Sequence, residues 1–234
     1  MSIQEIKSAV KKNSNKEKAK LLQRFFKTGK GEYGEGDVFA GIQVPVLRKI
    51  AKANGDITLA EIKTLLASPV HEERMISLFI LIDKYRKGDE VEREKIFKLY
   101  MANTKYINNW DLVDVTCPHI VGRHLFGIGE DLLLELAKTN NLWKKRIAVI
   151  STMYFIRAGK FDATLQISEM LLRDDHDLIH KGVGWALREV GKKDMNTELG
   201  FLIKHYKKMP RTMLRYAIEK FPESLRLQFL KGQI

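Results

Sequence analysis

Apolar side chains recur at every third or fourth position along most of the chain, a period that predicts amphipathic α-helices. No segment shows the strict apolar–polar alternation of a half-buried β-strand, so the pattern predicts an all-α fold. The predicted helices cover residues 2–12, 16–27, 45–54, a segment starting after 58, 70–86, 89–103, a segment from 108 to the proline at 118, 129–138, 141–158, 161–172, 175–191, 194–207 and 210–220.

Several residues mark where these helices begin and end. Pro45 fits the first position of a helix, where its missing N–H costs nothing. Thr58 and Glu61 form the pattern of a capping box, which starts the following helix. Pro118 should kink or break the helix that contains it. Residues 28–37 are polar and glycine-rich and predict a flexible loop.

The spacing of the helices indicates a repeat architecture. The turns are short, and successive helix pairs occupy roughly 35–45 residues, a length typical of HEAT-like αα-hairpins. We therefore predict a single domain over residues 1–234, in which such hairpins stack into a curved solenoid with a basic concave groove.

The charge of the chain is strongly positive and unevenly distributed. The 234 residues carry 41 Lys and Arg against 29 Asp and Glu, a formal net charge of +12. Residues 1–30 contain nine basic and two acidic side chains, and residues 141–160 contain five basic side chains and no acid. A polyanion, most simply nucleic acid, is the first partner to consider, although lysine-rich sequences also serve solubility.

The remaining composition favours an intracellular protein. Cys117 is the only cysteine, so no intrachain disulfide can form, and its apolar neighbours predict a buried, inert thiol. Neither a signal peptide nor an apolar segment long enough for a membrane span is expected. We predict a cytoplasmic, nucleoid-associated monomer of bacterial type, without a membrane partner, a cofactor or a metal.

Residues 108–114 combine an indole with two carboxylates. Trp110 and Asp114 are four positions apart, so on a helix they lie on one face. An aromatic ring beside a carboxylate can recognise and stabilise positive charge. Asp114 could also be an ordinary solvated or helix-dipole residue, and Asp111, in the first turn, is interpreted as structural.

All three tryptophans of the chain precede a charged residue at helical spacing. The pairs are Trp110 with Asp114, Trp143 with Arg146, and Trp185 with Arg188. The tryptophans are 33 and 42 residues apart, close to one repeat each, and equivalent positions of neighbouring repeats line one surface. The pairs therefore predict convergence on one groove, although a single tryptophan more often fills a core.

A stripe of four residues extends along one of these helices. Lys181, Trp185, Arg188 and Lys192 recur every three or four positions and share a face. An indole flanked by cations on a polar face suits phosphates and a flat ligand.

Four segments resemble the AlkD family of DNA alkylation repair glycosylases. They are 39–45 (FAGIQVP), 109–114 (NWDLVD), 142–146 (LWKKR) and 180–189 (HKGVGWALRE). Their order and spacing make the resemblance specific, and with the helical pattern it covers nearly the whole chain.

The resemblance implies a HEAT-like repeat DNA glycosylase of base excision repair. Such enzymes release cationic N3- or N7-alkylated purines, such as 3-methyladenine and 7-methylguanine, from duplex DNA and leave an abasic site. By motif, the catalytic carboxylate is Asp114, the aromatics flanking the lesion are Trp110 and Trp185, and the active-site arginine is Arg146. The residues expected to contact DNA are Gln43, Trp143, Lys145, Lys181, Arg188 and Lys192.

The chemistry of the residues agrees with that implication. Cleavage of an N-glycosidic bond passes through an oxocarbenium-like sugar, which a nearby carboxylate stabilises. A cationic purine is already a good leaving group, so no general acid is needed and one essential carboxylate can suffice.

Two other classes of protein remain open. One is a non-catalytic HEAT-repeat protein that binds branched or distorted DNA, and the other is a helical scaffold for an acidic protein partner. His176 and His180 have the spacing of two zinc ligands, but the motif has Asp instead of Glu and lacks a third ligand. The glycines of residues 31–36 follow no strand and precede no Lys-Ser/Thr pair, so they predict a loop rather than a phosphate site.

Overall fold

The computed structural model describes residues 2–234, and the secondary-structure elements of this part of the chain are all helices. In chain order its α-helices are α1 (Ile3–Asn13), α2 (Lys16–Phe25), α3 (Val44–Ala53), α4 (Leu59–Leu66), α5 (His71–Lys87), α6 (Glu90–Ala102), α7 (Trp110–Thr116), α8 (Arg123–Leu125), α9 (Asp131–Lys138), α10 (Leu142–Ser151), α11 (Met153–Arg157), α12 (Asp162–Met170), α13 (Asp177–Lys193), α14 (Met195–His205), α15 (Arg211–Ala217) and α16 (Glu223–Lys231). Within residues 2–234, extended pairing is limited to an isolated bridge between Val38 and Val70. The prediction of an all-α fold is confirmed.

The chain divides into two compact units, Met1–Thr116 (unit 1) and Cys117–Ile234 (unit 2). Each unit has its own central helix. That the chain forms a single domain over residues 1–234, and that its repeats stack into a solenoid, both stay predictions.

Helix α5 is the centre of unit 1. It packs against α1, α3, α4, α6 and α7, and it is buried around most of its circumference. Its first turn begins with four ionisable side chains, His71 to Arg74, and all four are buried. Because buried charges need partners, this turn must be matched by polar groups from the segments packed against it.

Helix α13 has the corresponding place in unit 2, where it packs against α10, α11, α12, α14 and α15. Glycine makes its approach to α15 possible, because a Cβ atom at Gly184 would lie 2.4 Å from the carbonyl oxygen of Met213. The tryptophan and the cations of the predicted stripe therefore lie on a helix whose other side is fixed in the core.

Most predicted boundaries hold within one or two residues. The capping box of Thr58 and Glu61 is formed, with both reciprocal hydrogen bonds present. Helix α7 ends at Thr116, and a π-helical turn starts at Pro118, as the proline predicted. Pro45 is the second rather than the first residue of α3.

Two features differ from the sequence prediction. The helix predicted over 141–158 is interrupted at Thr152, whose hydroxyl donates to the carbonyl of Val149 at 2.6 Å. Such bonding of a side chain to its own helix competes with regular helical hydrogen bonds. Helix α16 was not predicted at all.

Candidate active site

Trp110 is the first residue of α7, and the residues on either side of it anchor the helix start. The amide of Asn109 accepts the backbone N–H of Trp110 at 2.8 Å and donates to Asp37 at 3.3 Å. The carboxylate of Asp111 accepts the N–H of Leu112 at 2.8 Å with one oxygen and contacts His71 at 2.8 Å with the other. Both flanking side chains thus cap the helix start and bind the core of unit 1.

His71 bridges two carboxylates from different segments. Its Nδ1 lies 3.1 Å from Asp37 and its Nε2 lies 2.8 Å from Asp111, and the ring is only 2% exposed. Burial alone would lower the pKa of His71, but its hydrogen bonds and charge interactions with the two aspartates outweigh burial and raise that pKa to about 9. At neutral pH His71 is therefore a cation, and both ring nitrogens donate.

Asp37 is the buried end of this arrangement. Burial opposes its ionisation, but the hydrogen bond with His71 and the charge of Arg74, whose Nη2 lies 2.6 Å away, hold the pKa of Asp37 below its usual value. The carboxylate is therefore charged, which balances one of the two buried cations.

Aromatic rings connect the same histidine to the indole. The His71 ring stacks on Phe39 with centroids 4.3 Å apart, Phe39 stacks on Phe26 at 4.9 Å, and Phe26 stacks on Trp110 at 5.1 Å. Phe25 contacts the edge of Trp110 at 6.0 Å and leaves 64% of its surface exposed. Trp110 is thus the outer member of a stack that starts in the core.

A cleft of about 590 Å³ opens beside this stack, inside unit 1. Its walls are mainly apolar, and Phe25 and Phe26 are shared between the cleft and Trp110. The charged or amide side chains along it are Lys18, Gln43, His71, Glu72 and Asp111. An apolar cleft with a few convergent polar groups is the usual form of a ligand site.

Gln43 is positioned by a buried carboxylate. Glu72 accepts the backbone N–H groups of Ala40, Gly41 and Ile42 at 2.8, 2.8 and 3.2 Å, which fixes the loop that leads into α3. Gln43 follows directly, exposed, at the N-terminus of α3. The predicted DNA contact is therefore on a rigid support at the edge of the cleft.

Asp114 lies one helical turn after Trp110 on α7. Its side chain is half-buried, whereas Leu112, Val113 and Thr116 are buried. Tyr100 fixes the end of the helix through a hydrogen bond of 2.8 Å to the Thr116 hydroxyl. The proposed carboxylate is thus on a short helix held at both ends.

In unit 2, the predicted active-site arginine is a core residue. Arg146, on α10, is 4% exposed and its Nη1 donates to the backbone carbonyl of Leu178 in α13. The absence of a side chain at Gly182 makes room for it, since a Cβ atom there would lie 3.3 Å from that nitrogen. Arg146 therefore connects α10 to the first turn of α13.

The predicted stripe on α13 is organised around Glu189. That carboxylate accepts from the Trp185 indole at 3.2 Å and from Lys192 at 2.7 Å, and it lies 3.7 Å from Nε of Arg188. Arg188 also forms an ion pair with Glu219 of unit 2. Three of the four stripe residues, Trp185, Arg188 and Lys192, are therefore connected through one carboxylate.

The other predicted DNA contacts of unit 2 are also engaged. Lys145 pairs with Asp174 at 2.6 Å, and Lys181 pairs with Asp177 at 2.7 Å. Trp143 is half-buried in the first turn of α10.

The two histidines with zinc-like spacing have structural contacts. His176 accepts the N–H of Leu178 with Nδ1 and so caps α13, and Nε2 of His180 bonds to the carbonyl of Asp174. Across residues 2–234 there is no group of three or more His, Cys, Asp or Glu side chains arranged to hold a metal ion. None of the helices in this range has the length and hydrophobicity of a membrane span.

The structure thus assembles the predicted residues in two sets. Unit 1 brings Trp110 and Asp114 together on α7 and places Gln43 on the cleft. Unit 2 contains the remainder: Trp143, Lys145, Arg146, Lys181, Trp185, Arg188 and Lys192. Convergence of the three tryptophans on one groove stays a prediction.

Sequence reasoning missed the side chains that support Trp110. Phe25 and Phe26 form a visible aromatic pair at the end of α2, and that pair was the available signal. No sequence pattern marks Asp37 or His71, because the contacts of His71 with Asp37 and Asp111 join residues that are 34 and 40 positions apart in the chain.

The fold is all-α, the chain has a strong positive charge, and a carboxylate lies on the helix beside an aromatic cleft. These features are typical of proteins that act on nucleic acid. The model of the DNA alkylation repair enzyme family matches residues 6–221, and the chain belongs to this family. Membership supports a role in DNA repair, with DNA as the partner.

A solved structure confirms the fold. It is described as a predicted DNA alkylation repair enzyme from Enterococcus faecalis, and it is similar to this chain with a TM-score of 0.70. The similarity covers 90% of this chain and 98% of the other, at 16% sequence identity. No curated protein matches the chain.

Proposed function

We propose that the protein is a DNA glycosylase that releases cationic N3- or N7-alkylated purines from duplex DNA. The observation that carries this proposal is the placement of Asp114 one turn after Trp110, on a helix whose first residue stacks on the aromatic ring of Phe26. A ring and a carboxylate on one face are suited to a transient cationic sugar.

The reaction separates the base from the sugar without an external acid. The glycosidic bond breaks, and its electron pair leaves with the purine, which becomes neutral. Positive charge develops on the deoxyribose, where the Asp114 carboxylate stabilises it and the face of Trp110 contacts it. Water then adds to C1′ and loses a proton, which leaves an abasic site.

The family resemblance adds residues of unit 2 to the proposal. Trp185 is assigned to the second aromatic surface and Arg146 to the arginine of the site. Gln43, Trp143, Lys145, Lys181, Arg188 and Lys192 are proposed to contact DNA. Several of these cations are ion-paired to carboxylates, so phosphates would replace those carboxylates on binding.

The first test is release of 7-methylguanine or 3-methyladenine from a methylated duplex, measured by single turnover and chromatography of the free base. We expect release by the wild type and a loss on the order of 100-fold in Asp114→Asn, which keeps the shape but removes the charge. Asp131→Asn changes an exposed aspartate in the first turn of α9 and should keep the wild-type rate.

Two outcomes would contradict the proposal. Full activity of Asp114→Asn would remove the catalytic assignment. Binding of wild type to DNA junctions or bulges without any release of base would favour the non-catalytic DNA-binding alternative.

A further inference from the structure

The hydrogen bonds around Trp110 form a closed ring. From Asp37 the ring passes to His71, then to Asp111, along the backbone of Trp110 to Asn109, and back to Asp37. The side-chain contacts are 3.1, 2.8 and 3.3 Å long. Asn109 and Asp111, which flank Trp110, are thus held by the buried pair of Asp37 and His71.

His71 acts on the indole by two routes. Through Asp37 and Asp111 it holds the backbone on both sides of Trp110. Through Phe39 and Phe26 its ring begins the stack on which the indole rests. A displacement of His71 would therefore change both the start of α7 and the plane of the ring.

The charges around His71 favour its protonated form. Asp37 faces it from the loop before α3, Asp111 from α7, and Arg74 from its own helix. Arg74 contacts the far oxygen of Asp37 at 2.6 Å, so its charge is already matched. The nearby Glu72 carboxylate is bonded to the N–H groups of residues 40–42.

We propose that His71, acting as a cation between Asp37 and Asp111, is the positioning residue that fixes Trp110 and Asp114 for base release. This inference rests on the glycosylase function proposed above. In this role His71 acts through α7 and not directly on the reacting atoms. Its contribution is the orientation of α7, on which both proposed catalytic side chains lie.

The arrangement makes the site sensitive to alkaline pH. When the His71 ring loses a proton, one of its two carboxylate contacts loses its hydrogen bond and both carboxylates lose a counter-charge. Since the pKa of His71 is raised to about 9, the arrangement is complete at neutral pH and opens as the pH passes that value.

The experiment compares wild type, His71→Gln and the control His205→Gln, which changes a buried histidine of unit 2. Single-turnover base release at saturating DNA is measured from pH 6.5 to 9.5. We expect the wild-type rate to fall with a midpoint near 9, and the folded His71→Gln protein to be at least tenfold slower at pH 7 without that midpoint. His205→Gln should retain the wild-type profile.

A second readout does not depend on activity. In a Trp143→Phe, Trp185→Phe background, Trp110 is the only tryptophan, and its fluorescence reports the ring directly. We expect its emission to titrate with the same midpoint as the rate, and the transition to be absent after His71→Gln. A purely structural histidine would alter stability without a titration shared by rate and emission.

The outcomes separate the two proposals. If wild type releases no base, the glycosylase function fails, and the emission titration alone decides the role of His71. If wild type is active and folded His71→Gln keeps its rate and pH profile, the positioning role is overturned. If His71→Gln does not fold, Asp111→Asn takes its place, since it removes the charge that faces Nε2 and should give the same loss.

Discussion

Glu198 is a buried carboxyl group that the proposed chemistry does not use. It is 2% exposed, and within residues 2–234 its Oε1 has no hydrogen-bond partner. Burial raises its pKa to about 8, against the opposing charge of Arg188. The side chain occupies the space beside Gly191, where a Cβ atom would lie 1.6 Å from Oε2.

The raised pKa of Glu198 predicts how stability depends on pH. Between pH 4.5 and about 8 the unfolded chain releases this proton while the folded chain keeps it, so the free energy of unfolding falls as the pH rises. The Glu198→Gln variant lacks this ionisable group, so its free energy of unfolding should not fall for this reason as the pH rises. We expect the variant to be more stable than wild type at pH 8 by on the order of 3 kcal/mol, and nearly equal at pH 5.

The measurement is urea unfolding of both proteins at the two pH values. Glu135→Gln changes an exposed glutamate paired with Lys138 and should shift stability by less than about 0.5 kcal/mol at either pH. His71 also loses stabilisation as the pH rises towards 9, but it does so equally in all three proteins. A gap between Glu198→Gln and wild type that is the same at both pH values would contradict the assignment.

Among the elements, the loop before α3 depends on one glycine. Gly41 has a φ of 81°, and a Cβ atom there would lie 2.2 Å from the carbonyl oxygen of Asn15 and 2.6 Å from the nitrogen of Ala19. The neighbouring N–H groups bind Glu72. The loop therefore packs directly on the start of α2 and cannot move aside.

We expect Gly41→Ala to destabilise the protein by roughly 3 kcal/mol or more, because backbone strain and a backbone clash add. Gly36→Ala is the matched control, since Gly36 has a φ of 86° but open space around it. Its cost should be that of the strain alone, about 1–2 kcal/mol. Chemical denaturation measures both, and equal losses would show that close packing at residue 41 contributes nothing.

The elements also show what could be predicted from the sequence. Local periodicity predicted the helices and placed Trp110 and Asp114 on one helix face. The break at Thr152 depends on a hydroxyl bonding within its own helix, which apolar periodicity does not register. The ring of hydrogen bonds through Asp37, His71 and Asn109 could not be predicted from the sequence. Its partners are up to 72 residues apart, and only the packing of α5 brings them together.

For the whole molecule, the net charge of +12 overstates the number of cations ready to bind phosphate. In unit 2, Lys145, Lys181, Arg188 and Lys192 are each paired with a carboxylate. When a phosphate takes such a cation, the released carboxylate takes up a counterion. Four unpaired cations that each bind a phosphate would give a slope of about −3 to −4 for the logarithm of the binding constant against the logarithm of the salt concentration. We expect a smaller slope for this protein, because its four cations are already paired.

Glu189 offers the most direct test of this exchange, because it holds Trp185 and Lys192 and lies near Arg188. Glu189→Gln removes the negative charge beside Arg188 and Lys192 and keeps both cations. We expect it to bind a short duplex more tightly than wild type at about 50 mM salt, and to lose affinity more steeply as salt rises to about 200 mM, since the carboxylate of Glu189 no longer competes with phosphate. Glu135→Gln changes the net charge equally and should match wild type if the effect is local. Equal gains in the two variants would instead mean that net charge alone governs binding, and no salt-dependent binding in any of them would favour a scaffold for an acidic protein.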